Sequence, residues 1–577
     1  MRFSRMVAPL AMVAMVGAAT GATSLGAPSP VSARKGTARF TTLERTIVNE
    51  KEKDLKYGPG EKRYVRDLRW GHTGGRGRPL VGFKHISDVH IVDEESPGRV
   101  EFLDQCESPF SAAYRVHESM STQVGNSMLE QLGKIKRGPA TGVPMKFVIS
   151  TGDNIDNNQL NEERWFIELL DGDVVEPNSG AKTYDGYTRE QYAPALSDDL
   201  LNLAQKPFNS VGAGLPWFAV LGNHDGLVQG NAPKNDAFNS IAVGGMKPFR
   251  SLEANENCPD DPNDGQATFD ALTSALATDG RAVPADADRH FMTHQEIIDG
   301  YFNTTGTPVG HGLGRSPQDP VHAGDRAGYY AFPVAKKIVG ISLDTISYNG
   351  APDGNINDAQ WNWLVEKLQA NSRHYLDDAG EKVTNKKAAD KLIVLFSHHS
   401  SLTLNNPGGN PEAEPYHCFE ANDAPECAPN EGLHDLLLRF PNVIAWVNGH
   451  EHNNRVRRFP APQGEDPAEG FWELNTAAHI DWPQQSRVIE IAWKPGKTRK
   501  AADTIFIYGT VVDHGAAPDP NVATESTPDY LASISRVEAY YDACVRTGQA
   551  DCAAGGRVKK DRNVKLVQKA PFDLGHR

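Results

Sequence analysis

The chain has 577 residues, of which 39% are hydrophobic, and a formal net charge of −15 at pH 7. This length is sufficient for a large core and usually for more than one folding unit. The acidic balance argues against nonspecific binding to nucleic-acid polymers, although a bound metal ion would still allow a small anionic substrate.

The N-terminus has the pattern of a secretory signal. Arg2 and Arg5 form a basic start, residues 6–22 are apolar, and Val31-Ser32-Ala33 is a small-residue cleavage site. We therefore predict a signal peptide over residues 1–33 and an exported protein, secreted or at the cell surface. The alternative is an uncleaved membrane anchor, but the apolar run is short for a transmembrane helix, so we expect no such anchor.

Six cysteines fit an exported protein, in which disulfides persist. Two pairs are close in sequence, which leaves one distant pair: Cys418 and Cys427, Cys544 and Cys552, and Cys106 and Cys258. Pairing near neighbours is the simplest connectivity. Free thiols are the alternative, and no spacing resembles a cysteine-based zinc site.

The first core strand follows a polar lead-in. Residues 34–79 predict an extended segment with at most one edge strand, and Leu80–Ser87 is the first apolar strand. Asp88 and His90 stand at its end. Side chains two residues apart in an extended chain point the same way, so this pair can close on one metal ion. A polar pair that faces water is the alternative.

A helix and a second strand come next. Ser119–Lys136 predicts an amphipathic helix, and Met145–Ser150 predicts a strand that ends at Gly152-Asp153. Gly152 allows a tight turn, so Asp153 can project over the edge of the sheet. A plain turn is the alternative. Residues 162–170 predict the following helix.

The third strand, Leu215–Val220, leads into Leu221-Gly222-Asn223-His224-Asp225. The alternation of strands and helices predicts an α/β sheet with helices on its faces. Such sheets place their binding groups beyond the carboxyl ends of the strands. Taken alone, Gly-Asn is also an ordinary turn signal.

Residues 226–318 interrupt this alternation. The stretch is rich in Asn, Asp, Pro and Gly, is too long for a simple loop, and has one helix-like piece near 267–277. We interpret it as an insertion beside the site. Four of its basic side chains could meet an anionic substrate, but we expect them to be solvated surface: Arg281, Arg289, His290 and His294.

The core pattern then resumes. It predicts a hairpin at 328–344, a helix at 358–370, a strand at 391–396, a helix at 431–439 and a strand at 443–447. The two strands outside the hairpin end at His398-His399 and at His450-Glu451-His452. Three more strands are predicted at 470–475, 487–493 and 504–512, with no helices between them. We expect these strands to form antiparallel edges or a second sheet. Residues 516–577 predict a C-terminal extension with one helix, at 530–546, and a basic, mobile tail.

Polar groups thus follow five predicted strands, and they would meet at one edge if these strands share a sheet. Imidazole and carboxylate suit Zn, Mn, Fe or Ni, and a carboxylate such as Asp153 can bridge two ions. Two-metal sites activate a water molecule for displacement at phosphorus. His224 directly follows a ligand, so it would lie just outside the metal shell, where it can protonate the leaving oxygen or stabilise charge in the transition state.

The motifs at these strand ends resemble those of the calcineurin-like metallophosphoesterase superfamily. The resemblance covers residues 80–515 in motif order and rests on Asp88-Val89-His90, Gly152-Asp153-Asn154, Gly222-Asn223-His224-Asp225, His398 and Gly449-His450-Glu451-His452. It implies an α/β fold, a four-layer α/β/β/α sandwich, with 226–318 as a loop-rich insertion. The chain looks like an exported, actinobacterial-type member.

The resemblance also implies a ligand set for two divalent transition-metal ions, with Mn, Fe and Zn as candidates. Asp88, His90 and His452 would hold one ion, Asn223, His398 and His450 the other, and Asp153 would bridge them. His224 would be the catalytic histidine, with Asp225 orienting it.

Two positions need a choice. His399 is the alternative to His398, but the residue nearer the strand end matches the family position. Asp156 stands where purple acid phosphatases carry a metal-binding tyrosine. The resemblance therefore argues against an iron-tyrosinate centre and favours Asp156 as an outer or structural carboxylate.

We therefore expect hydrolysis of a small phosphate ester, a mono- or diester, by a water molecule that two metal ions activate. The alternative is a non-catalytic, metal-binding cell-envelope protein that retains the fold. Such a protein would be expected to have lost ligands or His224, and none is lost here.

Overall fold

Two β-sheets form the centre of the molecule. The computed structural model describes residues 36–49, 55–104, 106, 113–183, 198–248, 258–259, 265–319, 324–404, 432–462, 464–498, 500–522, 527–547 and 558–575. The predicted signal peptide lies outside these residues. No helix within the described ranges is both long enough and apolar enough to cross a membrane.

The first half of the chain alternates strands and helices before it enters the insertion. In chain order its elements are β1 (Arg45–Asn49), β2 (Leu55–Pro59), β3 (Tyr64–Asp67), β4 (Arg78–Ile86), α1 (Ser121–Lys134), β5 (Met145–Thr151), α2 (Leu160–Asp171), β6 (Val174–Val175), α3 (Asp198–Ala204), β7 (Phe208–Asn209), β8 (Trp217–Val220), α4 (Asn223–Gly226), α5 (Asp236–Ala242), β9 (Met246–Pro248), α6 (Gly265–Asp279), β10 (Gly280–Ala282) and α7 (His294–Gly300).

The second half is richer in strands. Its elements are β11 (Tyr330–Ala335), β12 (Ile338–Ser342), α8 (Asp358–Asn371), β13 (His374–Leu376), β14 (Lys382–Thr384), β15 (Leu392–Phe396), α9 (Leu433–Leu438), β16 (Val443–Asn448), β17 (Arg455–Phe459), β18 (Phe471–Asn475), β19 (Gln485–Lys494), β20 (Thr504–Asp513), α10 (Pro528–Thr547), α11 (Lys559–Arg562) and β21 (Val564–Lys569).

The strands that carry the motifs belong to two different sheets. The seven-stranded sheet has the order β3-β21-β20-β19-β4-β5-β8, and the six-stranded sheet has the order β11-β12-β15-β16-β18-β17. Strands β4, β5 and β8 run parallel in the first sheet, and β15 and β16 run parallel in the second. The five motif strands are therefore divided between two sheets, as the expected α/β/β/α sandwich requires, and do not share a single one.

The two sheets pack face to face through buried aromatic rings. Phe83 and Phe147 of the first sheet meet Phe396 and Phe332 of the second, and the ring centroids are 5.8 Å apart in both pairs. Burial of such large apolar side chains is the main term that holds the two sheets together. The same packing brings the carboxyl ends of the motif strands to one side of the molecule.

Helices cover the outer faces of both sheets and complete four layers. α1 and α2 add Met128 and Trp165 to the core of the first sheet. α8 and α9 cover the second sheet with leucines such as Leu364 and Leu436, which pack with Trp446. This is the expected α/β/β/α sandwich, and the predicted helices and strands of the core are confirmed to within a few residues.

The C-terminal segment is not the mobile tail that its basic composition suggested. β21 pairs antiparallel with β20 and parallel with β3 inside the first sheet. Val564, Leu566 and, beyond the strand, Leu574 are buried. The prediction for the strands after 470 is right only in part, because β18 runs parallel to β16.

The insertion packs against the segment that follows the first motif. Phe238 and Leu272 of the insertion share a buried cluster with Val100 and Leu103. A disulfide between Cys106 and Cys258 links the same two regions. The two predicted pairs of near neighbours are not described: Cys418, Cys427 and Cys552 lie outside the described residues, and so does the side chain of Cys544.

Candidate metal centre

Five of the residues predicted as metal ligands have an uncommon backbone conformation. Asp88, His90, Asp153, His450 and His452 have φ angles of 50°, 46°, 47°, 69° and 49°. Residues with a Cβ atom rarely adopt the left-handed region, and such strain concentrates at functional sites. These five lie in the turns that follow β4, β5 and β16, where the strained backbone directs their side chains toward one another.

One group of four ligands, which we call site A, consists of Asp88, His90, Asp153 and His452. Their candidate ligand atoms all lie within 4.8 Å of one another. Asp88 Oδ1 is 3.3 Å from His452 Nε2, and His90 Nε2 is 3.5 Å from Asp153 Oδ2. Atoms that share one metal ion at about 2.1 Å are roughly 3.0–3.4 Å apart at near-octahedral or tetrahedral angles, so the spacing suits a common ion.

A second group, which we call site B, consists of Asp153, Asn223, His398 and His450. His398 Nε2 lies 3.0 Å from Asp153 Oδ2 and 3.2 Å from His450 Nδ1. The Asn223 amide donates from Nδ2 to the Gly230 carbonyl oxygen at 3.0 Å. That contact turns Asn223 Oδ1 away from Gly230.

Buried polar atoms without a partner test whether these groups fit a metal. Among the described residues, Asp88 Oδ2, His90 Nε2 and Asn223 Oδ1 are buried and lack a hydrogen-bond partner. Leaving such atoms unpaired costs about 1–3 kcal/mol each, and more when they are charged. All three are lone-pair donors of the kind that divalent transition metals accept, so the donor set fits metal ions.

Asp153 faces both sites. Its Oδ2 atom lies 3.5 Å from His90 Nε2 of site A and 3.0 Å from His398 Nε2 of site B. Its Oδ1 atom accepts the backbone N–H of His224 at 2.9 Å. This hydrogen bond fixes the carboxylate in the orientation that directs Oδ2 between the two sites.

The charges of the centre favour a cation. Burial lowers the pKa of a histidine, but the carboxylates of Asp153 and Asp88 raise the pKa of His398 to about 9. Burial likewise opposes charge on His452, yet Asp88 and Asp481 raise its pKa to about 10. Bound metal would displace these protons, because ligating imidazole must be neutral.

The sequence profile of the calcineurin-like phosphoesterase family matches residues 82–454, which is more than half of the 577 residues. The chain belongs to this family. Two solved structures are similar to it: a dimetal phosphatase from Danio rerio, with 12% identity, a TM-score of 0.28 and coverage of 76% of this chain and 99% of that chain, and PhoD, with 12% identity, a TM-score of 0.27 and coverage of 86% and 83%. No curated protein sequence matches the chain.

Membership in the calcineurin-like phosphoesterase family makes the centre a candidate site for metal-dependent phosphoester hydrolysis. Within it, the choice between His398 and His399 follows from their partners. His398 Nδ1 contacts the Thr151 carbonyl oxygen at 2.8 Å, which leaves Nε2 free to ligate. His399 uses both ring nitrogens, toward Thr345 Oγ1 at 2.8 Å and the Pro352 carbonyl oxygen at 2.8 Å. The geometry therefore favours His398.

The candidate catalytic histidine is oriented by a different residue from the one we expected. His224 Nδ1 donates to the carbonyl oxygen of Asp156 at 2.6 Å. The Asp225 carboxylate instead accepts the backbone N–H groups of Gly222, Asn154 and Ile155 at 2.7, 3.0 and 3.2 Å. Asp225 thus joins the turns that follow β5 and β8, and its expected contact with the His224 ring is not formed.

Each histidine of site A has a carboxylate behind it. His90 Nδ1 lies 2.7 Å from Asp156 Oδ1, and His452 Nδ1 lies 2.5 Å from Asp481 Oδ2. The contact with the ring nitrogen of His90 is consistent with the expected outer position of Asp156. Sequence reasoning missed Asp481, because it follows the last motif in a loop after β18 and its alignment with His452 is visible only in three dimensions.

Two glycines allow the motif turns to approach each other closely. A Cβ atom at Gly222 would lie 2.3 Å from Asp153 Oδ1, and one at Gly449 would lie 1.8 Å from Ser87 Oγ and 2.5 Å from Asp88 Oδ2. Any side chain at either position would push a ligand carboxylate out of place. This packing explains why glycine precedes Asn223 and His450 in the motifs.

A carboxylate–arginine cluster holds the turn between His450 and His452. Glu451 accepts hydrogen bonds from Arg457 Nη2 at 2.8 and 2.9 Å, from Arg455 Nη1 at 2.7 Å and from Ser400 Oγ at 2.6 Å. Ser400 lies in the loop that follows His398. The cluster therefore ties the two loops of the second sheet that carry ligands.

The basic residues of the insertion do not share one environment. Arg281 is exposed, and His290 is half-exposed beside Glu296. Arg289, in contrast, is fully buried and donates to Ser179 Oγ at 2.8 and 3.0 Å. The expectation of solvated surface is wrong for Arg289, which holds the insertion to the core rather than meeting solvent. His294 is also largely buried, near Asp319 and Asp344.

Proposed function

We propose that the chain hydrolyses a small phosphate ester with the help of two divalent metal ions, one in site A and one in site B. The observation that carries this proposal is the position of Asp153 Oδ2, which lies 3.5 Å from a nitrogen of site A and 3.0 Å from a nitrogen of site B. A single carboxylate oxygen placed between two sets of ligands is the arrangement that a bridging ligand requires.

Each residue at the strand ends has an assigned role. Asp88, His90 and His452 would hold the ion of site A, Asn223, His398 and His450 would hold the ion of site B, and Asp153 would be shared between them. Mn, Fe and Zn suit this mixture of imidazole and oxygen ligands. When bound, two such ions activate a water molecule and compensate the negative charge of phosphoryl oxygens.

His224 is the residue that would give a proton to the leaving oxygen of the ester. Its Nδ1 atom carries the hydrogen that it donates to the Asp156 carbonyl, so Nε2 is the nitrogen that can accept and deliver a proton. Burial lowers the pKa of His224 to about 4, although Asp153 opposes this shift. A neutral Nε2 would first accept a proton, for which the attacking water is the source, and would then give it to the leaving oxygen.

We further infer that the substrate is a small phosphate monoester or diester and that the predicted signal peptide directs the enzyme out of the cytoplasm. The insertion packs against the segment that follows the first motif. Gly230, in a turn near the start of the insertion, lies close to the centre, because a Cβ atom there would be 2.2 Å from the His224 ring. The start of the insertion is therefore in direct contact with the proposed catalytic histidine.

Two assays test the proposal. The first is elemental analysis of protein purified without chelator, in which about two transition-metal ions per chain are expected. The second is hydrolysis of a chromogenic phosphodiester and a chromogenic monoester with added Mn²⁺, for wild type and Asp153→Asn. Asp288→Asn is the matched control, since Asp288 is an exposed partner of Arg164. Absence of hydrolysis on both esters, or equal rates for wild type and Asp153→Asn, would contradict the proposal.

A further inference from the structure

Two buried arginines hold the carboxylates that lie behind the histidines of site A. Arg115 donates from Nε and Nη2 to the two oxygens of Asp481 at 2.7 and 3.2 Å. Arg99 donates to Asp156 Oδ2. The side chains of Arg99 and Arg115 are 0% and 5% exposed, so both ion pairs are shielded from water on the arginine side. Shielded pairs keep a fixed geometry, unlike exposed pairs.

Glu118 joins the two pairs into one network. Its Oε1 atom accepts from Arg99 Nη2 at 3.0 Å, and its Oε2 atom accepts from the backbone N–H of Arg115 at 2.9 Å. The network therefore runs from His90 through Asp156 and Arg99 to Glu118, and on through Arg115 and Asp481 to His452. None of its arginines belongs to a motif that carries the family resemblance, and Asp481 lies beyond the matched residues 82–454.

Among the described residues, no carboxylate lies behind His398 or Asn223 of site B. The ring of His398 meets a neutral acceptor, the Thr151 carbonyl oxygen, at 2.8 Å. Asn223 is a neutral ligand whose amide is held by another carbonyl oxygen, that of Gly230. Site A also has two carboxylate ligands, Asp88 and Asp153, whereas site B has only the shared Asp153. The two sites thus differ both in ligand charge and in what lies behind the ligands.

We propose that Asp481, held by Arg115, is a positioning residue that makes the ion of site A the more tightly bound of the two. A carboxylate behind an imidazole fixes the tautomer that presents Nε2 to the metal and makes that nitrogen a stronger donor. The proposal rests on the proposed dinuclear function, because it assigns a difference between its two ions. Asp481 does not contact the ion, and it acts through His452.

The test isolates site A before it changes Asp481. Asn223→Ala removes a ligand that belongs to site B alone, so the remaining Mn²⁺ ion is that of site A. The dissociation constant of Mn²⁺ is then measured by competition with a chelator, with elemental analysis of the retained metal, for Asn223→Ala and for Asn223→Ala with Asp481→Asn. We expect Asp481→Asn to raise the dissociation constant by roughly 10–100-fold, as removal of an outer carboxylate does elsewhere.

Three further variants separate positioning from a general structural effect. Asp481→Glu, which restores a carboxylate, should recover most of the affinity. Arg115→Gln should weaken Mn²⁺ binding in the same direction but less, because Asp481 remains. Glu61→Gln is the matched control, since Glu61 pairs with the buried Arg562 far along the chain and touches no ligand. Its Mn²⁺ affinity should equal that of the parent.

The outcomes are distinguishable from failure of the proposed function. Wild-type protein that binds no metal contradicts the dinuclear proposal itself. Wild-type protein that binds two ions while Asp481→Asn leaves the site A constant unchanged overturns the inference alone. The Mn²⁺ electron paramagnetic resonance spectrum of the isolated site A ion provides a second readout, and an unchanged spectrum in Asp481→Asn would also overturn it. If Asp481→Asn does not fold, Arg115→Gln decides by the same measurement.

Discussion

The two sheets contribute different chemistry to the candidate metal centre. The first sheet supplies every oxygen ligand, from Asp88, Asp153 and Asn223, and only one imidazole, from His90. The second sheet supplies imidazoles alone, from the loops after β15 and β16. Each candidate site takes ligands from both sheets, so neither sheet can form a site by itself. The centre is therefore a property of how the sheets pack, and metal binding should respond to changes on either side of the interface.

The largest effect on the centre is expected when the oxygen ligand shared by both sites is removed. Asp153→Asn replaces the carboxylate that faces both sites with a neutral amide, so both ions lose a ligand at once. We expect metal content to fall for both sites and hydrolysis to fall to background. Elemental analysis and the ester assay on the same preparation check this. Full activity with one retained ion would show that a single site is sufficient.

Removing an imidazole from the second sheet should have a similar but less symmetric effect. His450→Ala deletes a ligand of site B, so metal and activity should be lost together. Site A should remain partly occupied. The measurement is metal content per chain beside the rate. His374→Ala is a suitable control, because His374 is an exposed histidine on β13 of a separate two-stranded sheet. Retention of both ions in His450→Ala would contradict the assignment.

His224→Ala sharpens the comparison because it removes an imidazole that we assign to neither set of ligands, although its ring packs 4.5 Å from that of His90. The ring contacts the Asp156 carbonyl through Nδ1, and we assign no metal to it. We expect the variant to keep its metal and to lose activity by about 10²–10⁴-fold, the usual contribution of a general acid. Metal analysis and kcat are compared with His290→Ala, a half-exposed histidine of the insertion. A metal-free His224→Ala protein would show that the role is misassigned.

Chelation tests the two-sheet interface through stability rather than rate. Ions that join ligands from both sheets bind the folded chain and not the unfolded one, which adds about 3 kcal/mol when free metal exceeds its dissociation constant by 100-fold. EDTA should therefore lower Tm in calorimetry, and added Mn²⁺ should restore it. Asp153→Asn supplies the control, because its Tm should respond little to either addition.

The smallest effect on the centre is expected from the disulfide that links the insertion to the segment after the first motif. Cys258→Ser removes a cross-link between residues 152 apart in sequence. Losing such a link destabilises a fold by about 2–5 kcal/mol, mainly through the unfolded chain. We expect a lower Tm with nearly unchanged metal content, measured on freshly purified protein. A large loss of metal would mean that the insertion directly maintains site A.

The sequence identifies the strand ends well because local patterns report them. Apolar runs predict β4, β5, β8, β15 and β16, and the polar residues that follow them carry recognisable motifs. Periodicity gives no information about which strands pair with each other, however, so two sheets could be expected only from the family resemblance and not from the pattern of each strand. β21 shows the same limit: Lys565 and Lys569 made the segment look like a solvated tail, although Val564 and Leu566 alternate with polar residues as a paired strand requires.

The features of the site that the sequence did not predict are contacts between segments that are distant in the chain. The hydrogen bond between Arg115 and Asp481 spans 366 residues, and neither residue stands in a motif. Asp225 is a case in which the motif was visible but the contact was not. Its neighbour His224 suggested a side-chain pair, whereas the folded backbone offers Asp225 three N–H groups. Only the arrangement of the turns in three dimensions decides which partner such a carboxylate takes.

The left-handed backbone at five ligand positions implies that selection for chemistry and selection for stability act against each other there. Each such residue costs of the order of 1 kcal/mol relative to a relaxed backbone. Glycine at one of these positions, for example Asp88→Gly, would relieve the strain and also remove a ligand. A lineage that abandoned catalysis should therefore accumulate glycines at the motif turns. In this chain the five positions hold aspartate and histidine, as the proposed metal centre requires despite the strain.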